Sequence, residues 1–252
     1  MAALGSGVSE RQTRHRKRDV PVAATGGFHL PVFRKRAALY VDGFNLFHAI
    51  DELGRPYLHW LDLRALGRAL SPKSEVVRRV TWVTAFRPQA RHRLTLHQTY
   101  AEALRATGVH CLTGHFVIYG DRCNACGHRW NVAEEKQSDV NLALSVLDDA
   151  HEDRFDVCYL VTTDGDHAAT ARFLKERFPH KRLVLVTPPG RSPNRMLLDW
   201  ADAQTAISFE QLHGALLPAR LSGPMGPILR PAAFEPPHVP RRKGGLTLVS
   251  SS

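Results

Sequence analysis

The 252 residues are 43% hydrophobic and 23% charged, which suits a soluble chain forming one domain with tails, or at most two small domains. No apolar run is long enough to span a bilayer, MAALGSGVSERQTRHRKR lacks the apolar stretch of a secretory signal, and four cysteines are too few for a disulfide framework, so a cytoplasmic chain with no membrane partner is expected. The formal charge of +10 lies in the flanks: residues 1–36 hold eight Lys/Arg against two acids, residues 211–252 five against one, and residues 37–210 carry 21 of each sign.

Residues 1–36, rich in Gly, Arg and His and without periodicity, read as a basic disordered arm. AALYV (37–41) reads as a buried strand, after which FNLFHAI opens a helix. DLRALGRAL (62–70) predicts a helix, VVRRVTWVT (76–84) a β-branched strand, residues 89–107 an amphipathic helix and VHCLTGHFVI (109–118) a further strand. Helices are expected over 134–151, 166–178 and 193–203, and strands over 156–162, 182–187 and 205–208. From about residue 217 prolines and basic residues accumulate, so 211–252 reads as a Pro-rich basic tail, disordered in its proline-dense part. The alternation across 37–210 predicts an α/β, Rossmann-like, mostly parallel sheet with helices on both faces. In such a sheet the ligand site lies beyond the carboxyl ends of the strands.

Acids stand at those ends. Asp42 closes AALYV, and Asp164 and Asp166 follow VCYLVTT. In the helix expected from residue 134, Glu135, Asp139, Leu142, Ala143, Val146, Leu147 and Ala150 form one stripe, which sets Asp139 on a core-facing side beyond the first turn. An acid there is costly unless it is paired or binds a cation. Four gathered carboxylates make a hard, oxygen-rich pocket suited to Mg²⁺ or Mn²⁺ and, through the metal, to phosphate. Residues 55–105 carry ten Lys/Arg against three acids, and residues 134–166 carry ten acids against two bases. An acidic pocket beside a basic surface suits a metal enzyme acting on a polyanion; solvated helix faces are the plain alternative.

YVDGFN (40–45), EEKQSDVNLALSVLDDA (134–150) and LVTTDGDHAATARFLKERFP (160–179) resemble, in order and spacing, the three signature blocks of the NYN domain. VLVTPPGR (184–191) resembles a further segment of its LabA-like branch. The resemblance covers about residues 36–210 and implies a PIN-like fold and a metal-dependent endoribonuclease with RNA as its partner. By position it makes Asp42, Asp139, Asp164 and Asp166 the catalytic, metal-binding acids, with Asn45 beside them to orient a ligand or water. One departure is visible: His167 stands where the family usually has an aromatic residue after the last aspartate. That departure supports a second reading, an RNA-binding or regulatory module that keeps the fold without the activity. A third is a Mg²⁺-dependent, phosphatase-type phosphotransfer enzyme, which would place a DxD pair after the first strand where this chain has D-G-F-N. The sequence assigns no oligomeric state.

A second constellation, CNACGH, inserts a zinc-knuckle-like CxxC at about 115–131. Cys123 and Cys126 supply two thiolates where a closed structural zinc needs four ligands. His115 reads as the third, with His128 and Cys111 as other candidates. Cys158, inside an apolar strand, reads as core. Arg191 and Arg195, in and after the PPGR turn, are candidate RNA-phosphate contacts, and Phe44 a candidate base-stacking residue. The plain readings are a proline-stiffened loop and a core aromatic. Lys136 reads as a solvated lysine, and Thr162 and Thr163 either as β-branched strand residues or as phosphate-positioning groups.

Overall fold

Alternate residues of the first strand face opposite ways, and each set has its own core. The computed structural model describes residues 34–87 and 91–237, so the expected arm up to residue 33 and the tail beyond 237 lie outside the described residues. On strand β1 (Lys35–Asp42), Ala37, Leu39 and Val41 pack with helices α1 (Gly43–Asp51), α2 (Leu63–Leu70) and α3 (Arg91–Ala106) through Leu46, Ile50, Leu63, Leu66, Ala101 and Leu104. Ala38 and Tyr40 pack on the other face against α4 (Ser138–His151) and α5 (Ala168–Arg177) through Leu142, Val146, Ala171 and Leu174. A strand covered on both faces reads as an unbroken apolar run, which is what AALYV is.

The main sheet has seven strands. Besides β1 they are β2 (Glu75–Ala85), β3 (His110–Arg122), β4 (Arg129–Lys136), β5 (Val157–Val161), β6 (Arg182–Thr187) and β7 (Ala203–Ala206), in the order β4-β3-β2-β1-β5-β6-β7. Every neighbouring pair is parallel except β3–β4. The chain runs outward from β1 through β2 and β3, then returns to lay β5 on the other side of β1. The strand order therefore reverses between β1 and β5, the place where open α/β sheets form their binding crevice at the carboxyl ends. Val41 pairs with Val161, so Asp42 and Thr162 leave the sheet side by side.

Gly43 allows the chain to turn directly from β1 into α1. A Cβ on it would lie 2.4 Å from the Val83 carbonyl oxygen and 2.7 Å from the Trp82 indole nitrogen. On the α4 side, Asp149 is fully buried and receives the Tyr40 hydroxyl at 2.7 Å, Arg154 Nη1 at 2.8 Å and the Arg79 guanidinium. Buried charge of this kind persists only when its oxygens are matched by donors.

Three expectations are corrected. The helix expected over 134–151 begins only at Ser138, because β3 runs past the sheet and folds back, and Glu134, Glu135 and Lys136 pair with it as strand β4. Gln137, with φ of 80°, makes the turn between strand and helix. The helix expected over 193–203 shrinks to α6 (Arg195–Leu198), since Asp202 is held at the start of β7 by the Leu183 N–H at 2.7 Å and by Lys175. The C-terminal segment is ordered through residue 237: α7 (Phe209–Gly214) is followed by a hairpin of β8 (Arg220–Gly223) and β9 (Gly226–Leu229). Leu217, Ile228 and Phe234 pack there on Trp60 and Ala103, and Trp60 Nε1 donates to the Pro218 carbonyl at 2.9 Å. Its prolines sit in turns and in a two-stranded ribbon, where a missing N–H is tolerated.

Candidate metal centre

Asp42 is both the last residue of β1 and the N-cap of α1. Its Oδ1 accepts the Asn45 N–H at 3.0 Å, and its Oδ2 accepts the Thr162 hydroxyl at 3.0 Å. The carboxylate is buried, and that burial raises its pKa above the usual range despite the two donors and a nearby imidazole. Thr162 uses the same hydroxyl to accept the Asp164 N–H at 3.0 Å. Thr163 donates through both its N–H and its hydroxyl to Asn45 Oδ1, at 3.0 and 3.2 Å. The first strand and the fifth are thus stitched together at the crevice by side chains of D-G-F-N and T-T-D.

The third contribution comes from α4. Because that helix starts at Ser138, Asp139 lies in its first turn with its side chain about half exposed. The expectation of a core-facing acid past the first turn is corrected: the helix N-terminus itself favours the charge. The fourth is His167, ending a short 3₁₀ turn whose N-cap is Asp164, and fully buried. Its Nε2 lies 3.4 Å from Asp139 Oδ1 and 4.0 Å from Asp42 Oδ2, yet makes no well-aligned hydrogen bond. Burial opposes the imidazolium, but Asp139, Asp42 and Asp164 outweigh it and raise the His167 pKa. Contact with His167 in turn holds Asp139 below the ordinary carboxylate range.

Donor atoms of Asp42, Asp139 and His167 all come within 4.8 Å of one another. Two carboxylates and a buried imidazole nitrogen lacking an aligned partner fit a divalent cation. Asp164 and Asp166 stand on the same rim outside that trio: Asp164 is half-buried and accepts the Asp166 N–H at 3.0 Å, and Asp166 is exposed. Sequence reasoning named His167 as a departure and missed it as a donor. Its place one residue after Asp166, at the carboxyl end of an apolar strand, was the available signal.

The remaining candidates fall as follows. Phe44 is half-buried on α1 and meets Phe116 of β3 edge-on, 6.2 Å between centroids. Arg191 is exposed and ion-paired with Glu52 at 2.6 Å, and Arg195 is exposed at the start of α6. Lys136 pairs with Glu134. Cys158 is fully buried, as expected of a core residue. The zinc-ligand assignment for His115 is corrected: it pairs with Lys136 at the base of the β3–β4 hairpin, whereas Cys123 and Cys126 lie past Arg122 at the tip. Seven strand residues separate the two ends, about 23 Å. His115 Nδ1 instead meets Gln137 Oε1 at 3.2 Å.

The NYN domain model matches residues 36–207, the whole of this sheet and its crevice. The chain belongs to the NYN domain family. This NYN domain therefore falls in the PIN-like nuclease superfamily, whose members use divalent metals, and it carries an acid–imidazole cluster able to hold one. No curated protein sequence matches it. Among solved structures it is similar to a protein of unknown function, VPA0982, from Vibrio parahaemolyticus, with 22% identity and a TM-score of 0.47 over 73% of this chain and 98% of that one. Among the described residues of this NYN domain, no helix is long and apolar enough to cross a membrane.

Proposed function

We propose that this NYN domain is a metal-dependent ribonuclease cutting RNA phosphodiester bonds at the crevice between β1 and β5. The observation that carries the reading is the meeting of Asp42, Asp139 and His167, three metal donors from three separate elements, at the point where strand order reverses. Asp42 and Asp139 would hold a divalent ion together with His167, and an imidazole in the set favours Mn²⁺ over Mg²⁺. Such an ion, when bound, lowers the pKa of an attacking water and offsets charge on the phosphodiester.

The chain's own residues prepare that chemistry. The Asn45 N–H and the Thr162 hydroxyl fix the Asp42 carboxylate in one orientation, so little reorganisation remains for the reaction. Asn45 spends its amide oxygen on Thr163, which leaves its N–H₂ group as the end that donates to a phosphate oxygen. Asp164 and Asp166, just outside the trio, widen the acidic rim toward a second ion or an incoming water. Phe44, Arg191 and Arg195 are the residues assigned to base stacking and phosphate contact. The LabA-like branch and a cytoplasmic setting belong to the same proposal.

His167 supports one competing reading. An imidazolium held between two carboxylates is itself a cation in the metal's place, which suits a module that binds RNA without cutting it. The test is cleavage of a mixed single-stranded and structured RNA pool with Mn²⁺, with Mg²⁺ and with EDTA. Metal-dependent cutting that falls at least about a hundredfold in Asp42→Asn is expected. RNA retention without cutting under every condition favours the competing reading, and cutting of small phosphomonoesters alone favours the phosphotransfer alternative.

A further inference from the structure

The β3–β4 hairpin supplies no donor to the Asp42, Asp139 and His167 trio. Among the described residues, β3 pairs with β2 only over His110–Gly114, and from His115 to Arg122 its one partner is β4. The ribbon thus leaves the sheet and extends roughly 23 Å as two strands. An isolated two-stranded ribbon is marginal in water. This one exposes Val117, Ile118, Tyr119 and Trp130. The register places Val117, Tyr119, Val132 and Trp130 on one face, together with Glu134 opposite Val117 and Asp121 opposite Trp130.

The tip is C-N-A-C-G. The Cys123 N–H donates to the His128 carbonyl at 2.8 Å and the Gly127 N–H to the Cys123 carbonyl at 2.9 Å. The nearby Cys126 and Ala125 backbone N–H groups and the Cys126 side chain hold the Cys123 thiol pKa below its ordinary value. Gly127 takes φ of 70°, which closes the turn. Two neighbouring sulfurs with amide N–H groups beside one of them make half of a tetrahedral thiolate site. The other half is not available nearby: among the described residues, Asp42, Asp139 and His167 are the one set of three donors that converges. Of the two remaining cysteines, Cys158 is buried in β5 and Cys111 lies at the other end of β3, so one chain cannot complete a four-cysteine site. His128 stacks on Trp130, 6.0 Å between centroids.

We propose that the hairpin tip is half of a structural zinc site, completed by Cys123 and Cys126 of a second copy of this chain across a two-fold axis. A two-fold contact is self-complementary, so one CxxC becomes two, and the Tyr119, Val132 and Trp130 side of each ribbon comes together with its copy beside the metal. Four thiols release four protons to solvent as they coordinate one Zn²⁺, with no change of oxidation state. The assignment is independent of the chemistry at Asp42.

The experiment uses the full chain in a non-thiol reductant, loaded with Zn²⁺ and dialysed, with zinc content and solution mass measured on one sample. A dimer holding about one cysteine-dependent zinc per two chains, counted as the zinc lost when both cysteines are replaced, is expected. Chelation with a strong zinc chelator, and separately Cys123→Ser with Cys126→Ser, would each give a folded monomer by circular dichroism and loss of the bound zinc. Chelation of the wild type keeps the test valid if the double variant misfolds. Co²⁺ in place of Zn²⁺ should give the intense charge-transfer absorption of a four-thiolate site. A monomer that loses one zinc per chain when the two cysteines are replaced would mean ligands from the same chain and overturn the proposal. So would absence of cysteine-dependent zinc, or a dimer that survives both chelation and the cysteine replacements.

Discussion

Replacing Thr162 with Val removes one hydroxyl and leaves the side-chain volume nearly unchanged. That hydroxyl has two roles: it donates to the Asp42 carboxylate and accepts the Asp164 N–H. A hydrogen bond to a charged acceptor contributes about 1.5–3 kcal/mol, and a backbone N–H left without a partner costs about 1–3 kcal/mol. Thr162 is fully buried but Asp164 is not, so water recovers part of the second loss, and a total of about 3 kcal/mol is expected. With a urea slope of about 3 kcal/mol per molar, the midpoint falls by about 1 M while the slope stays the same. The cost also depends on pH. Burial already raises the Asp42 pKa in the folded state, so Asp42 favours folding below its unfolded pKa and this contribution is lost as pH rises through its folded value. Losing a donor raises that pKa further, so the gap between wild type and variant must widen from acid to neutral pH. The assay is urea unfolding in EDTA across that range. A variant within about 0.5 kcal/mol of wild type at neutral pH, or a gap that narrows as pH rises, would refute the reasoning.

Asp149→Ala leaves Arg79 and Arg154 without their shared carboxylate and Tyr40 without its acceptor, and should cost about 3–5 kcal/mol in chemical unfolding. His97, packed on Trp82 and Phe86 with Thr84 Oγ1 at 3.1 Å from its Nε2, is held neutral by burial, its pKa down to about 4. The unfolded chain takes up that proton first, so stability is full above the ordinary histidine value and falls by roughly 3 kcal/mol toward pH 4. A His97→Gln variant should lose that part of the acid sensitivity in urea unfolding at pH 7 and pH 4.5.

The parts of the fold legible in the sequence are those where local pattern and tertiary context agree. RLVLVT is a strand at Arg182–Thr187, and the AALYV strand gains only a few residues at its ends. Glu134, Glu135 and Lys136 mislead because they are good helix formers adjoining a real helix, while their strand state depends on a partner about twenty residues upstream. Propensity cannot anticipate such a pairing. The proline-rich C-terminal segment misleads for a related reason. Composition registers Pro218, Pro224 and Pro227, but not that Leu217, Ile228 and Phe234 close over Trp60. At the candidate site, the positions of Asp42 and Asp164 follow from the strands that end there. The nearness of His167 to Asp139 does not, because it rests on where α4 begins.

The hydrogen bond between Thr162 and Asp42 joins residues 120 apart in the chain. Nothing local holds the crevice together, since β1 meets β5 only after three further strands and four helices have been laid down. A half-made chain therefore presents its acids separately, each solvated and unable to grip a cation. Cation binding becomes a readout of completed folding, and by mass action an ion that binds only the finished crevice adds to the stability of the fold that created it.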